Sequence, residues 1–83
     1  MEKEIKVGIE KFKSACSLLL PGVTFVVPVR PTGANFLVSL THKGQRTYVT
    51  IHEDDFADWG ESEDLSLVKE AANLAIQKLR AEV

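Results

Sequence analysis

The chain has 83 residues, a formal net charge of −2, one cysteine, 45% hydrophobic and 27% charged residues, enough apolar content for one small core and too little length for a second. A lone Cys16 excludes an intramolecular disulfide, and apolar runs no longer than Leu18 to Leu20 fall far short of the roughly 20 residues of a membrane span. Because Met1-Glu2-Lys3-Glu4 lacks the layout of a signal peptide, the expectation is a single soluble cytoplasmic domain over residues 1–83.

In chain order, Ile5, Ile9, Phe12, Cys16 and Leu19 recur at helical spacing between Lys3 and Leu20, with lysines and glutamates opposite. This predicts an amphipathic helix that ends at Pro21-Gly22. Gly8 costs it about 1 kcal/mol relative to Ala, and close packing is the reason the sequence offers.

The middle of the chain alternates as β-structure does. Val23, Phe25, Val27 and Val29 form one apolar set, Phe36, Val38 and Leu40 a second, and Val49 and Ile51 a third. With Lys43-Gly44 as a tight loop, Leu40 faces Thr47, Val38 faces Val49 and Phe36 faces Ile51. With Pro31 to Ala34 as the first loop, Val29 faces Phe36, Val27 faces Val38 and Phe25 faces Leu40. Both registers put the large apolar side chains on one face, which predicts a three-stranded antiparallel meander. Pro28 cannot donate to a ladder, so the first strand belongs at an edge.

A last helix is expected from near Ser62, with Glu63 and Asp64 in its first turn. Its apolar arc, from Leu67 through Val83, is wider than one sheet contact needs. Leu67, Ala71 and Leu74 form a flank continued by Lys78, expected to pack on the first helix or, failing that, on a second subunit. The fold class is therefore α+β in the order α-β-β-β-α, with both helices packed on one face of the sheet.

Charge is unevenly placed along this order. Residues 21 to 52 carry Arg30, Lys43 and Arg46 with no acid, a net +3. Glu53, Asp54, Asp55, Asp58, Glu61, Glu63 and Asp64 follow with no base, a net −7. This acidic segment is interrupted by Phe56 and Trp59 and has three readings: a solvated turn over the end of the core, a docking loop with an exposed aromatic anchor for a basic partner, or a weak cation site. EF-hand spacing fails in both frames that start on an aspartate pair, because Phe56 or Ala57 falls on a ligand position.

The sequence offers no constellation for an enzyme. Cys16 lies on the apolar stripe of the first helix, as an inert buried thiol would, and the register places His42 and His52 at opposite ends of one hairpin. No cofactor or metal is expected.

The sheet's outer face is the other candidate surface. The registers give it the rows Thr24, Thr41 and Arg46; Val26, Ser39 and Tyr48; Pro28, Leu37 and Thr50; then Arg30, Asn35 and His52. Val26, Leu37, Tyr48 and Arg46, with Phe56 and Trp59 of the acidic loop, are the candidate binding residues, for a protein partner or a homodimer. Nucleic-acid binding through the basic outer face, using Arg30, Lys43, Arg46 and Tyr48, is the alternative.

The order α-β-β-β-α resembles the double-stranded-RNA-binding domain in topology only. Where that family opens its second helix with a Lys-rich segment, this chain has Ser66-Leu67-Val68-Lys69 behind Glu61, Glu63 and Asp64. Where the family's first hairpin loop carries a Gly-Pro-x-His contact, it has Pro31-Thr32-Gly33-Ala34. Without the phosphate-binding bases, duplex RNA is not an expected partner. The anticipated function is that of a small non-enzymatic binding or regulatory module acting through protein contacts or self-association.

Overall fold

A computed structural model describes residues 2–81. Helix α1 spans Glu2–Leu19, strands β1 Thr24–Val26, β2 Asn35–His42 and β3 Gln45–His52, and helices α2 Glu53–Glu61 and α3 Ser66–Ala81. The strands form an antiparallel sheet in the order β1-β2-β3, and the helices pack against one side of it.

The ladder has the register that the apolar spacing predicts. Phe25 pairs with Leu40, Phe36 with Ile51, Val38 with Val49 and Leu40 with Thr47. Lys43 and Gly44 both have positive φ, 49° and 82°, as a two-residue turn of mirror-image type requires. The inner face buries Phe36, Val38, Leu40, Thr47 and Ile51 against Phe12, Cys16, Val68, Ala72, Ala75, Ile76 and Leu79.

The first hairpin differs from expectation. β1 stops at Val26, so Val27 and Val29 never join the ladder, and Val29 is almost fully exposed. Pro28 and Pro31 withhold amide donors from this stretch, which returns to β2 through an isolated bridge between Thr32 and Asn35. The rows expected to run from Pro28 to Leu37 and from Arg30 to Asn35 are therefore absent from the ladder. In α1, the stripe residues Phe12 and Cys16 are buried as predicted, while Leu19, at the helix end, is exposed.

The larger correction concerns the acidic segment, of which Glu53–Glu61 is a helix, not a loop. Glu53, Asp54 and Asp55 occupy the first turn of α2, where the macrodipole favours negative charge. His52 caps it, Nδ1 accepting the Asp54 N–H at 3.0 Å. Phe56, Ala57 and Trp59 are buried on its inner side. Ser62, expected to start the last helix, instead ends α2, its N–H donating to the Asp58 carbonyl at 3.0 Å. Two short side-chain turns then delay α3 to Ser66: Ser62 Oγ accepts from the Asp64 N–H at 3.1 Å, and Asp64 Oδ1 accepts from the Ser66 N–H at 2.9 Å and the Ser66 hydroxyl at 2.7 Å. Those two bonds hold the Asp64 carboxyl below its ordinary value.

Gly8 owes its place to the crossing of α1 over α2. A Cβ there would stand 1.8 Å from the Phe56 carbonyl oxygen, and one on Gly60 would stand 1.9 Å from the Glu4 carbonyl oxygen. Each helix supplies a glycine where the other's backbone comes closest. Lys11 spans the same junction, its Nζ donating to the carbonyls of Trp59 at 2.8 Å and Ser62 at 2.7 Å, at the negative end of α2. Phe12 stacks on Trp59 at 5.9 Å and meets Phe56 edge-on at 6.2 Å.

Candidate functional site

The outer face of the sheet is formed where the strands pair. Thr24, Thr41 and Arg46 share one row, and Val26, Ser39 and Tyr48 the next. Leu37 lies in the following row beside Thr50, then Asn35 beside His52. Val26 is 68% exposed, Leu37 54% and Tyr48 48%, three large apolar side chains on adjacent rows of one face. Arg46 is fixed along the patch's border, its Nε donating to Thr41 Oγ1 at 3.3 Å.

Phe56 and Trp59 are elsewhere. They are 0% and 9% exposed, inside the aromatic cluster with Phe12 and Phe36, so neither is an exposed docking anchor. The physical reason is the helix itself: it carries the acids on its outer side and turns its aromatics onto α1 and the sheet. Arg30 also leaves the outer face, lining a hollow with Ile5, Ile9, Phe36 and Glu53. Lys43 and Arg46 remain together near the tight turn. His42 and His52 occupy opposite ends of the hairpin, paired with Gln45 and Asn35. Cys16 is fully buried, and burial pushes its thiol up to about 12. Among the described residues no group of three or more His, Cys, Asp or Glu side chains is gathered as metal ligands would be, and no helix is long and apolar enough to cross a membrane.

Two further surfaces were not singled out as sites by the sequence. A groove of about 400 Å³ runs between α1 and α3, with Val7, Leu18, Leu65 and Val68 as its apolar lining and Lys6 and Lys69 among its polar residues. A cleft of about 280 Å³ separates β3 from α3, between Val49 and Thr50 on one side and Ala71, Leu74 and Lys78 on the other. The flank of Leu67, Ala71 and Leu74 thus does not pack onto α1 as expected. Leu67 and Leu74 stay 64% and 61% exposed, and Lys78 reaches β3, its Nζ donating to the Tyr48 carbonyl at 2.6 Å. The placing of Lys78 on the line of that flank was the available signal.

Comparison of the chain with protein-family models, with curated proteins and with solved structures gives no match. The topology shared with the double-stranded-RNA-binding domain is itself modified, because α2 intervenes between β3 and the last helix.

Proposed function

We propose that this chain is a small non-enzymatic binding module that engages a protein through the outer face of its sheet. The observation that carries this reading is the exposure of Val26, Leu37 and Tyr48 together on a face that no helix covers among the described residues. An antiparallel sheet left open to water normally shows polar side chains there, and Thr24, Thr41 and Thr50 around the patch follow that pattern. An apolar centre with a threonine and arginine border has the composition of a protein contact: an aromatic and aliphatic middle that loses water on docking, and a rim that stays hydrated. Arg46 gives the rim a positive charge on a stretch without acids, which favours an acidic partner surface.

The test replaces Val26, Leu37 and Tyr48 together by Ser. The variant is expected to keep the wild-type circular dichroism and to lose proteins that the wild-type chain captures reproducibly. Unchanged capture by the folded variant contradicts the reading. The second reading, single-stranded nucleic acid bound on the same face, draws on Tyr48 as a stacking platform beside Arg46 and Lys43. It predicts oligonucleotide binding that weakens steeply with salt and disappears in Arg46→Glu; no binding at low salt removes it.

A further inference from the structure

The edge of β3 is the part of the sheet that the outer-face reading leaves unused. In an antiparallel ladder, successive residues alternate between bonding to their neighbour and turning N–H and C=O away from it. The tight Lys43-Gly44 turn makes His42 and Gln45 a bonded pair. By alternation Thr47, Val49 and Ile51 also bond to β2, while Arg46, Tyr48 and Thr50 direct their backbone groups outward. β3 has no strand on that side, and among the described residues no backbone group outside the sheet bonds to these three. Lys78 Nζ occupies the Tyr48 carbonyl, where the amide of a further strand would bind.

We propose that a second copy of this chain docks on this edge, β3 against β3 in antiparallel fashion about a twofold axis near Val49, joining the two sheets into one. The inference goes beyond the outer-face reading: it concerns a different surface, stands if that reading fails, and names its own partner. The outward backbone groups call for an extended strand, and the charges around them favour a copy of the same strand. Lys78 reaches Tyr48 at the middle of the strand, whereas Asp55, which lines the same cleft, sits on the first turn of α2 just beyond the strand's C-terminal end. Twofold rotation reverses the strand and sets Tyr48 opposite the partner's Thr50, whose N–H takes the Tyr48 carbonyl from Lys78 and frees Lys78 to turn toward the partner's Asp55. The same pairing forms a second time by symmetry. Exposed Leu74 faces the cleft that the partner strand enters, and the apolar patches of the two outer faces become one surface.

Sedimentation equilibrium tests this on the full chain. The wild type is expected to reach twice its 9.2 kDa chain mass with a dissociation constant of about 100 µM or tighter. Thr50→Pro, which removes only an outward N–H, is expected to stay monomeric with native circular dichroism. Asp55→Lys and Lys78→Asp are each expected to weaken association about tenfold, and the two changes together to restore it, because the swapped charges again meet across the axis. That rescue keeps the proposal falsifiable if the proline variant fails to fold. A wild type that stays monomeric at about 1 mM overturns the proposal, as does dimerisation that Asp55→Lys and Lys78→Asp leave untouched. A dimer broken by Leu37→Ser but not by the charge reversals places the contact on the outer face and overturns the edge. The triple outer-face variant reports separately: capture lost with its dimer intact supports the outer-face reading, and capture retained contradicts that reading while leaving the edge in place.

Discussion

At the crossing of α1 and α2, a single added methyl on Gly8 would stand 1.8 Å from a backbone oxygen. β3 and α3, by contrast, leave between them a cleft of about 280 Å³ that has Phe12 and Trp59 among its lining. At the first seam the helices have lost their side chains at the closest points, an aromatic cluster fills the remaining volume, and Lys11 satisfies the end of α2. At the second, β3 is an edge strand whose Tyr48 carbonyl accepts from Lys78, and Leu74 is exposed. The difference teaches which part of the molecule is closed by its own packing and which is left open. Closed packing fills the crossing of α1 and α2, while the sheet's outer face and the β3 edge are open, which is where the proposed contacts fall.

Substitutions at the closed seam should break it most severely. Phe56→Ala leaves a void among Phe12, Phe36 and Trp59 and is expected to cost about 4 kcal/mol in urea denaturation. Gly8→Ala should cost about 2 kcal/mol despite the roughly 1 kcal/mol that alanine adds to an isolated helix, because the helices must move apart. A stabilising Gly8→Ala would show that the crossing is not close. Lys11→Met keeps the aliphatic stem and removes the donors to Trp59 and Ser62, for a loss of about 2 kcal/mol.

Cys16 measures the same closure without mutation. Its thiol, pushed up to about 12 by burial, should resist alkylation at pH 8 until the chain unfolds, so labelling should follow the unfolding equilibrium. The folded chain holds this proton more tightly than the unfolded one. The corresponding stability is therefore complete below the ordinary thiol value of 9.0 and is lost as pH rises from there toward about 12. Asp64 has the opposite sign and the smallest effect. Ser66 lowers its titration, so its contribution is present above the ordinary value of 3.8 and is lost as pH falls through the lowered one. Asp64→Asn should flatten the acid limb of a stability profile slightly.

Much of the sheet was legible because its signals are local and mutually consistent. Alternation placed Phe36, Val38 and Leu40 on one face, and the Lys43-Gly44 turn fixed the pairing with β3 independently. The exposed trio of Val26, Leu37 and Tyr48 followed from that register. The residues that misled are those whose role depends on a distant partner. Phe56 and Trp59 among seven acids read as a loop, yet Phe56 and Gly60 stand four residues apart, the spacing that lets one side of a helix meet α1. Glu63 and Asp64 look like the first turn of the last helix and instead lie in the turns before it, while Glu53, Asp54 and Asp55 open a helix of their own. For Gly8 the sequence points to close packing, as found, but not to α2 as the neighbour that approaches it. Val29 fits the strand alternation, but the prolines on either side remove the ladder that would have used it.

Amide hydrogen exchange resolved by residue across a concentration series tests most directly the claim that recognition belongs to the open side of the sheet. Thr47 and Val49, bonded to β2, should be protected at every concentration. Tyr48 and Thr50, whose amides point away from β2, should exchange rapidly in dilute solution and become protected as a second copy pairs along the edge. Protection of Tyr48 and Thr50 that is already complete in dilute monomer, or that never rises with concentration, would contradict the account.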